Sequence, residues 1–163
     1  MIAAEVMSFR REGTEQVAIS SLAAGSDILF AEVVLEVGIP LHIFLPHSPE
    51  EFVDRSVQYA KNHPDEDTGE WVARFGTSIN RAVSMNIVSP VDGLDPYVAC
   101  NGAMLRHALD FTGQQRERIL GLAMMENGSE VKQGGAADFA HEIESAGISV
   151  RRLWPHRPHR LFR

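Results

Sequence analysis

The 163-residue sequence predicts an α/β fold: a mostly parallel sheet of about five strands with helices on both faces. Three observations carry this expectation. Short apolar or β-branched runs alternate with helical periodicities nearly throughout. The connections between them are short, as βαβ units require. Helical runs open on Ser, Asp or Pro and stop at Gly.

The elements follow in order. IAAEVMSFRREG sets Ile2, Val6 and Phe9 at helical spacing and ends at Gly13. VAISS (17–21) is a short strand. DILFAEVVLEVG (27–38) is a helix, capped by Ser26 or Asp27 and stopped by Gly38. LHIFLP (41–46) is a buried strand. SPEEFVDRSVQYAKN (48–62) is a helix with Ser48 as N-cap, Pro49 at the first position and acids in the first turn. NHPDEDTGE (62–70) is polar and turn-rich, hence an exposed loop.

EWVARFGTSINRAV (70–83) is an amphipathic helix with Trp71, Phe75 and Ile79 on one face. SMNIVS (84–89) is a strand and PVDGLD a loop. PYVACNGAMLRHALDF (96–111) is a helix, with Asp95 as cap and Pro96 at its first position. RILGLAMM (118–125) is a strand, ENGSEVKQGG (126–135) a glycine-rich loop, AADFAHEIESAG (136–147) a helix and ISVRRLW (148–154) the last strand. Residues 1–152 are expected to form one domain and 153–163 a basic tail. The chain opens on a helix where a doubly wound sheet opens on a strand, so the first βα unit is expected to be incomplete.

Composition narrows the function. A net charge of −7 argues against general attraction to nucleic acid. Charges or glycines interrupt every apolar run before the ~18 residues of a membrane span, and the start lacks a secretory pattern. Cys100 is the single cysteine, which excludes an internal disulfide framework and suits the cytoplasm. It falls in an apolar helical pattern and is expected to be buried and inert. The basic stretch RRLWPHRPHRLFR (151–163) reads as a solvated tail, because Pro155 and Pro158 prevent a continuous basic helix. The histidines show no HxxxH or HxH spacing, so no metal site is expected. No nucleophile elbow or Walker motif is present, and neither Lys61 nor Lys132 is placed for phosphoryl transfer. No cofactor is expected.

Ligands of open parallel sheets bind beyond the C-terminal strand ends. Three loops stand there: SLAAGSD (21–27), SPVDGLD (89–95) and ENGSEVKQGG (126–135). Each leads into a helix start, whose unpaired N–H groups favour phosphate or carboxylate. Asp27 and Asp138 oppose a simple phosphate cradle, since a carboxylate competes for the same N–H groups. They are either caps or partners of ribose hydroxyls. Glu32 is either an acid/base group at the mouth or a solvent-facing acid. Asn101 either hydrogen-bonds a base or sugar or caps a neighbouring loop.

Four blocks, VAISSLAAGSDILFAEVVLEVGIPLHIFLPHSPEEFVDRSV, WVARF, DPYVACNGAMLRHAL and QGGAADFAHEIESAG, resemble SLOG-type Rossmann-like domains found beside nucleotidyl cyclases and tetratricopeptide-repeat signalling modules. The resemblance covers roughly residues 17–152. It implies a three-layer Rossmann-like sandwich that binds a nucleotide or nucleotide-derived signal, and the first expectation is that it does so without catalysis. Gly25, Ser26 and Asp27 would lie in one binding loop, and Asp95 and Asn101 at a second helix start. Gly134, Gly135 and Ala136 would form the phosphate-facing turn. A second copy or a signalling protein would be the macromolecular partner.

Some relatives cleave nucleoside monophosphates with a PGGxGTxxE motif. Here Gln133, Ala137 and Asp138 replace its Pro, Gly and Thr, and His141 stands where its glutamate would be. Glu142 comes one place late, which turns its side chain by about 100° on a helix. Glu32 and Glu142 are the acid/base candidates if an N-glycosidase activity remains. A third reading is an interaction module that takes no small ligand.

Overall fold

The computed structural model describes residues 1–58, 68–125 and 133–154. They form an α/β chain in the order α1 (Ile2–Phe9), β1 (Ala18–Ser20), α2 (Ser26–Glu36), β2 (Leu41–Leu45), α3 (Pro49–Phe52), α4 (Thr68–Arg81), β3 (Ser84–Ile87), α5 (Pro96–Phe111), β4 (Leu120–Met124), α6 (Ala136–Ser145) and β5 (Ser149–Leu153). The chain divides into two compact units, Met1–His107 and Ala108–Arg163, with the boundary inside α5.

In the first unit the sheet order is β1-β2-β3, all parallel. The central strand β2 shows why. Leu41, Ile43 and Leu45 are fully buried and Phe44 nearly so, the near-continuous apolar run of a strand covered on both faces. Helix α2 buries Ile28, Ala31 and Val34 at three-residue spacing and packs on β1, α1 and α4. Phe75 of α4 is buried and stacks on Phe52 with ring centroids 6.0 Å apart. Among the described residues strand β3 pairs only with β2, and it leaves Met85 and Ile87 exposed.

In the second unit β4 and β5 pair in parallel, joined through α6. Gly121 allows α6 to lie close on β4: a Cβ there would stand 2.9 Å from Val150 Cγ2 and 3.3 Å from two atoms of Ile143. Arg152 of β5 donates to Glu144 Oε2 of α6 at 2.7 Å, so the first part of the basic run is used within this unit.

Several expectations need correction. The described strands form a three-stranded and a two-stranded sheet, not one sheet of five. Apolar periodicity marks a segment as extended but carries no information on which strand it will pair with. Helix α2 is capped by neither Ser26 nor Asp27; Gly25 is its N-cap and no side chain caps it. Helix α1 ends at Phe9, well before Gly13. The single helix expected from residue 48 starts as read, with Ser48 Oγ accepting from the Glu51 amide at 3.3 Å. It then widens into one π-helical turn, Val53–Val57, closed by Gln58 N–H on the Val53 carbonyl at 2.8 Å. Most of the loop read at 62–70, most of the glycine-rich loop 126–135 and the tail from 155 onward lie outside the described residues.

Candidate functional site

The best-built polar cluster lies beyond the C-terminal ends of β1 and β2. The loop leaving β1 is forced into an unusual path. Leu22 adopts a φ of +60° with its side chain fully buried, and the Ser20 hydroxyl accepts the Leu22 amide at 3.2 Å. Gly25 follows at φ +93° and ψ −123°, a region that only glycine enters readily. A leucine in the left-handed region costs of order 1–3 kcal/mol, which burial of its side chain offsets.

The Asp27 carboxylate organises this loop. It accepts the Ser21 hydroxyl at 2.9 Å, the Ser26 hydroxyl at 3.4 Å and the Ala23 amide. The residue keeps partial surface exposure, but its carboxyl group is enclosed. Burial pushes that carboxyl above the ordinary carboxylate range, and the three hydrogen bonds oppose the rise without cancelling it. The turn that would cradle an outside anion is thus already filled by the chain's own carboxylate.

The loop is tied to two further elements. The Ala24 amide donates to the Ser56 carbonyl at 3.0 Å, and Ser56 lies in the π-helical turn. The Ser56 hydroxyl and the Tyr97 hydroxyl are 2.8 Å apart. Tyr97 sits in the first turn of α5, where Asp95 Oδ1 accepts the amides of Tyr97 (2.8 Å) and Val98 (3.3 Å). Asp95 is therefore a helix cap, as its sequence position suggested. The His47 ring meets Tyr97 edge-on, with centroids 5.6 Å apart and planes at 77°. Its Nε2 is buried and has no hydrogen-bond partner among the described residues.

One turn further along α5, Cys100 donates to the Phe44 carbonyl at 3.4 Å. Its thiol is pushed up to about 12, first by burial and then by the nearby Asp27 charge. A thiol so held is unreactive at neutral pH. Asn101 is buried beside it, at 7% exposure. The structure thus gathers Gly25, Ser26 and Asp27 in one loop and brings Asp27 near the Cys100–Asn101 turn of α5. Asp95 stands at the start of the same helix.

The other candidates have partners of their own. Gly134, Gly135 and Ala136 belong to the second unit, where Gly135 is the N-cap of α6. The Gly134 amide donates to Asp138 Oδ2 at 2.8 Å, so Asp138 folds back on the turn that leads into α6, whose N-cap Gly135 has no side-chain cap. Glu142 is half-buried on α6. Glu32 reaches across to α4, where it accepts two hydrogen bonds from Arg74, one of them Nε–H at 2.6 Å. The guanidinium also lies over the Trp71 ring at 4.6 Å. These hydrogen bonds hold the Glu32 carboxyl below its ordinary range, against some desolvation. A carboxylate so clamped is a poor proton donor at neutral pH.

Sequence reasoning missed Ser21, His47, Ser56 and Tyr97. The signal for His47 was present, because LPHSP directly follows β2 and stands at a strand end like the three loops singled out. It lacks the glycine that marks the other three. Among the described residues, no group of three or more His, Cys, Asp or Glu side chains stands together to hold a metal ion. No helix there is long and apolar enough to cross a membrane.

No protein-family model and no curated protein matches the chain. Among solved structures, a pyridoxal 5′-phosphate-dependent aspartate racemase is similar at 16% identity and a TM-score of 0.26. The match covers 95% of this chain and 45% of that one, so the chain spans less than half of that structure's length. A likeness at that level carries no argument about fold or chemistry.

Proposed function

We propose that the chain is a cytoplasmic domain that binds or senses a nucleotide or nucleotide-derived signal without catalysis, as its resemblance to SLOG-type domains implies. The observation that carries this reading is the strained, carboxylate-centred loop at the end of β1. Parallel α/β sheets take ligands at that end, and backbone strain of this kind persists where a surrounding site over-determines it. Ser21 and Ser26, whose hydroxyls donate to Asp27, keep acceptor lone pairs suited to sugar hydroxyls. Asp95 and Asn101 flank the same end through α5. The clamping of Glu32 by Arg74 supports binding in preference to glycosidic cleavage. A second copy or a signalling protein would read the bound state.

The test is a thermal-shift screen of the full chain with nucleoside monophosphates, triphosphates, cyclic nucleotides and dinucleotide cofactors, with released base followed in parallel. Ligand at a hundred times its Kd adds about 2.7 kcal/mol, or roughly 5–10 °C of melting temperature for a chain of this size. The expected result is such a shift with at least one nucleotide and no free base. No shift with any nucleotide overturns the binding reading. Base release that Glu142→Gln abolishes overturns its non-catalytic part.

A further inference from the structure

We propose that His47 is a ligand-recognition residue whose buried Nε2 accepts a hydrogen bond from a neutral N–H or O–H donor on the nucleoside part of the ligand, beside the Tyr97–Ser56 hydroxyl pair. The inference rests on the nucleotide-binding reading and adds which part of the ligand this end of the sheet takes.

Four observations support it. A buried ring nitrogen left without a partner is disfavoured by about 1–3 kcal/mol, so its retention points to a partner supplied from outside the chain. Nδ1 of His47 faces Glu51 Oε1 at 3.7 Å. A carboxylate on that side favours the tautomer with its proton on Nδ1, which leaves Nε2 as an acceptor. The ring is fixed by the edge-on contact with Tyr97, which the Asp95 cap anchors in the first turn of α5. Finally, Ser56 lies on a π-helical turn, a rare distortion that occurs frequently at functional positions.

The same geometry argues against phosphate here. Glu51 places a carboxylate beside Nδ1, and the neighbouring cation, Arg55, is engaged with that carboxylate at 2.8 Å. An anion here would meet its repulsion. A sugar hydroxyl or an exocyclic base amine meets acceptors instead.

Titration calorimetry on the full chain tests this with adenosine, inosine, D-ribose, ribose 5-phosphate and inorganic phosphate, each on wild type, His47→Phe and His47→Gln. A nucleoside is expected to bind wild type, with affinity at least tenfold weaker in His47→Phe and partly restored in His47→Gln, which keeps an acceptor. Melting temperature should not fall in His47→Phe, because an unpaired polar atom is removed. Loss with inosine but not adenosine assigns the donor to the base amine; comparable binding of ribose assigns it to the sugar.

Nucleotide binding that is unchanged in His47→Phe overturns the inference and leaves the proposed function standing. Inorganic phosphate competing as well as the nucleoside also overturns it. If no nucleoside or nucleotide binds wild type, both readings fall. Should His47→Phe not fold, ¹⁵N NMR of wild-type His47 decides: an Nε2 shift that moves on adenosine addition supports the inference, and one that stays fixed at saturating ligand overturns it.

Discussion

The loops that precede α2 and α6 share a sequence grammar and differ in physical character. Each places glycine before a helix and an aspartate within its first turn, at Asp27 and Asp138. Half-buried Asp138 accepts the amide of Gly134, four residues before it, and ties the turn that leads into α6. Asp27 makes the matching bond to the Ala23 amide and more besides. Its enclosed carboxylate gathers two hydroxyls and an amide from residues before and beside it, and the loop bends through Leu22 and Gly25 to allow this. The difference teaches that an aspartate that ties a turn and one that organises a site are indistinguishable in sequence. What separates them is whether the surroundings exclude water, since burial makes each missing hydrogen bond expensive.

The largest effect that can break this comparison is removal of the Asp27 acceptor. Asp27→Ala leaves three donors without their partner and should cost about 3 kcal/mol, whereas Asp138→Ala removes the acceptor of the Gly134 amide and should cost about 1 kcal/mol. Urea unfolding of both alanine variants at neutral pH measures it, and equal losses for Asp27→Ala and Asp138→Ala would show the two loops to be equivalent.

Gly25→Ala comes next. A Cβ there meets nothing within 4 Å, so the cost is purely one of backbone conformation, about 2 kcal/mol at φ +93°. A loss well below that in the same unfolding experiment would mean that the loop relaxes and its path is not over-determined.

A smaller effect sharpens the electrostatic half of the comparison. The Asp27 carboxyl is raised in the folded protein, chiefly by burial. The folded state therefore holds its proton more tightly than the unfolded chain does. The stability this contributes is greatest below the ordinary carboxylate range and is lost as pH rises through the folded value. Relative to Asp27→Asn, wild type should gain stability on acidification from pH 7 to pH 4, read as the difference in urea midpoints. A difference that stays flat or moves the other way overturns burial as the dominant influence. The smallest expected change is in Asp138→Ala itself, at about 1 kcal/mol or less.

Much of the chain was legible in advance. Helix α5 spans the segment read for it from Pro96 to Phe111, with Asp95 as its cap, because Asp-Pro followed by sustained apolar spacing is a strong local signal. The five strands were legible as segments, since apolar runs between turn residues carry that information locally. The π-helical turn at Val53–Val57 was not, because nothing in SPEEFVDRSV distinguishes a turn closed at five residues from one closed at four. Of the site, the loop 25–27 and the start of α5 were legible from their place at strand ends. His47, Ser56 and Tyr97 were not, since they lie far apart in sequence and only the tertiary fold brings them together.

The sequence by itself determined the segments, the parallel α/β class and the burial of Cys100, because each depends on local spacing and apolar content. Only the tertiary structure decided how the strands divide between two sheets, that Glu32 is held by Arg74, and that Asp27 is enclosed while Asp138, half-buried, ties its own turn. Those outcomes depend on what stands across from a residue, and neighbours distant in the chain leave no mark on its local pattern.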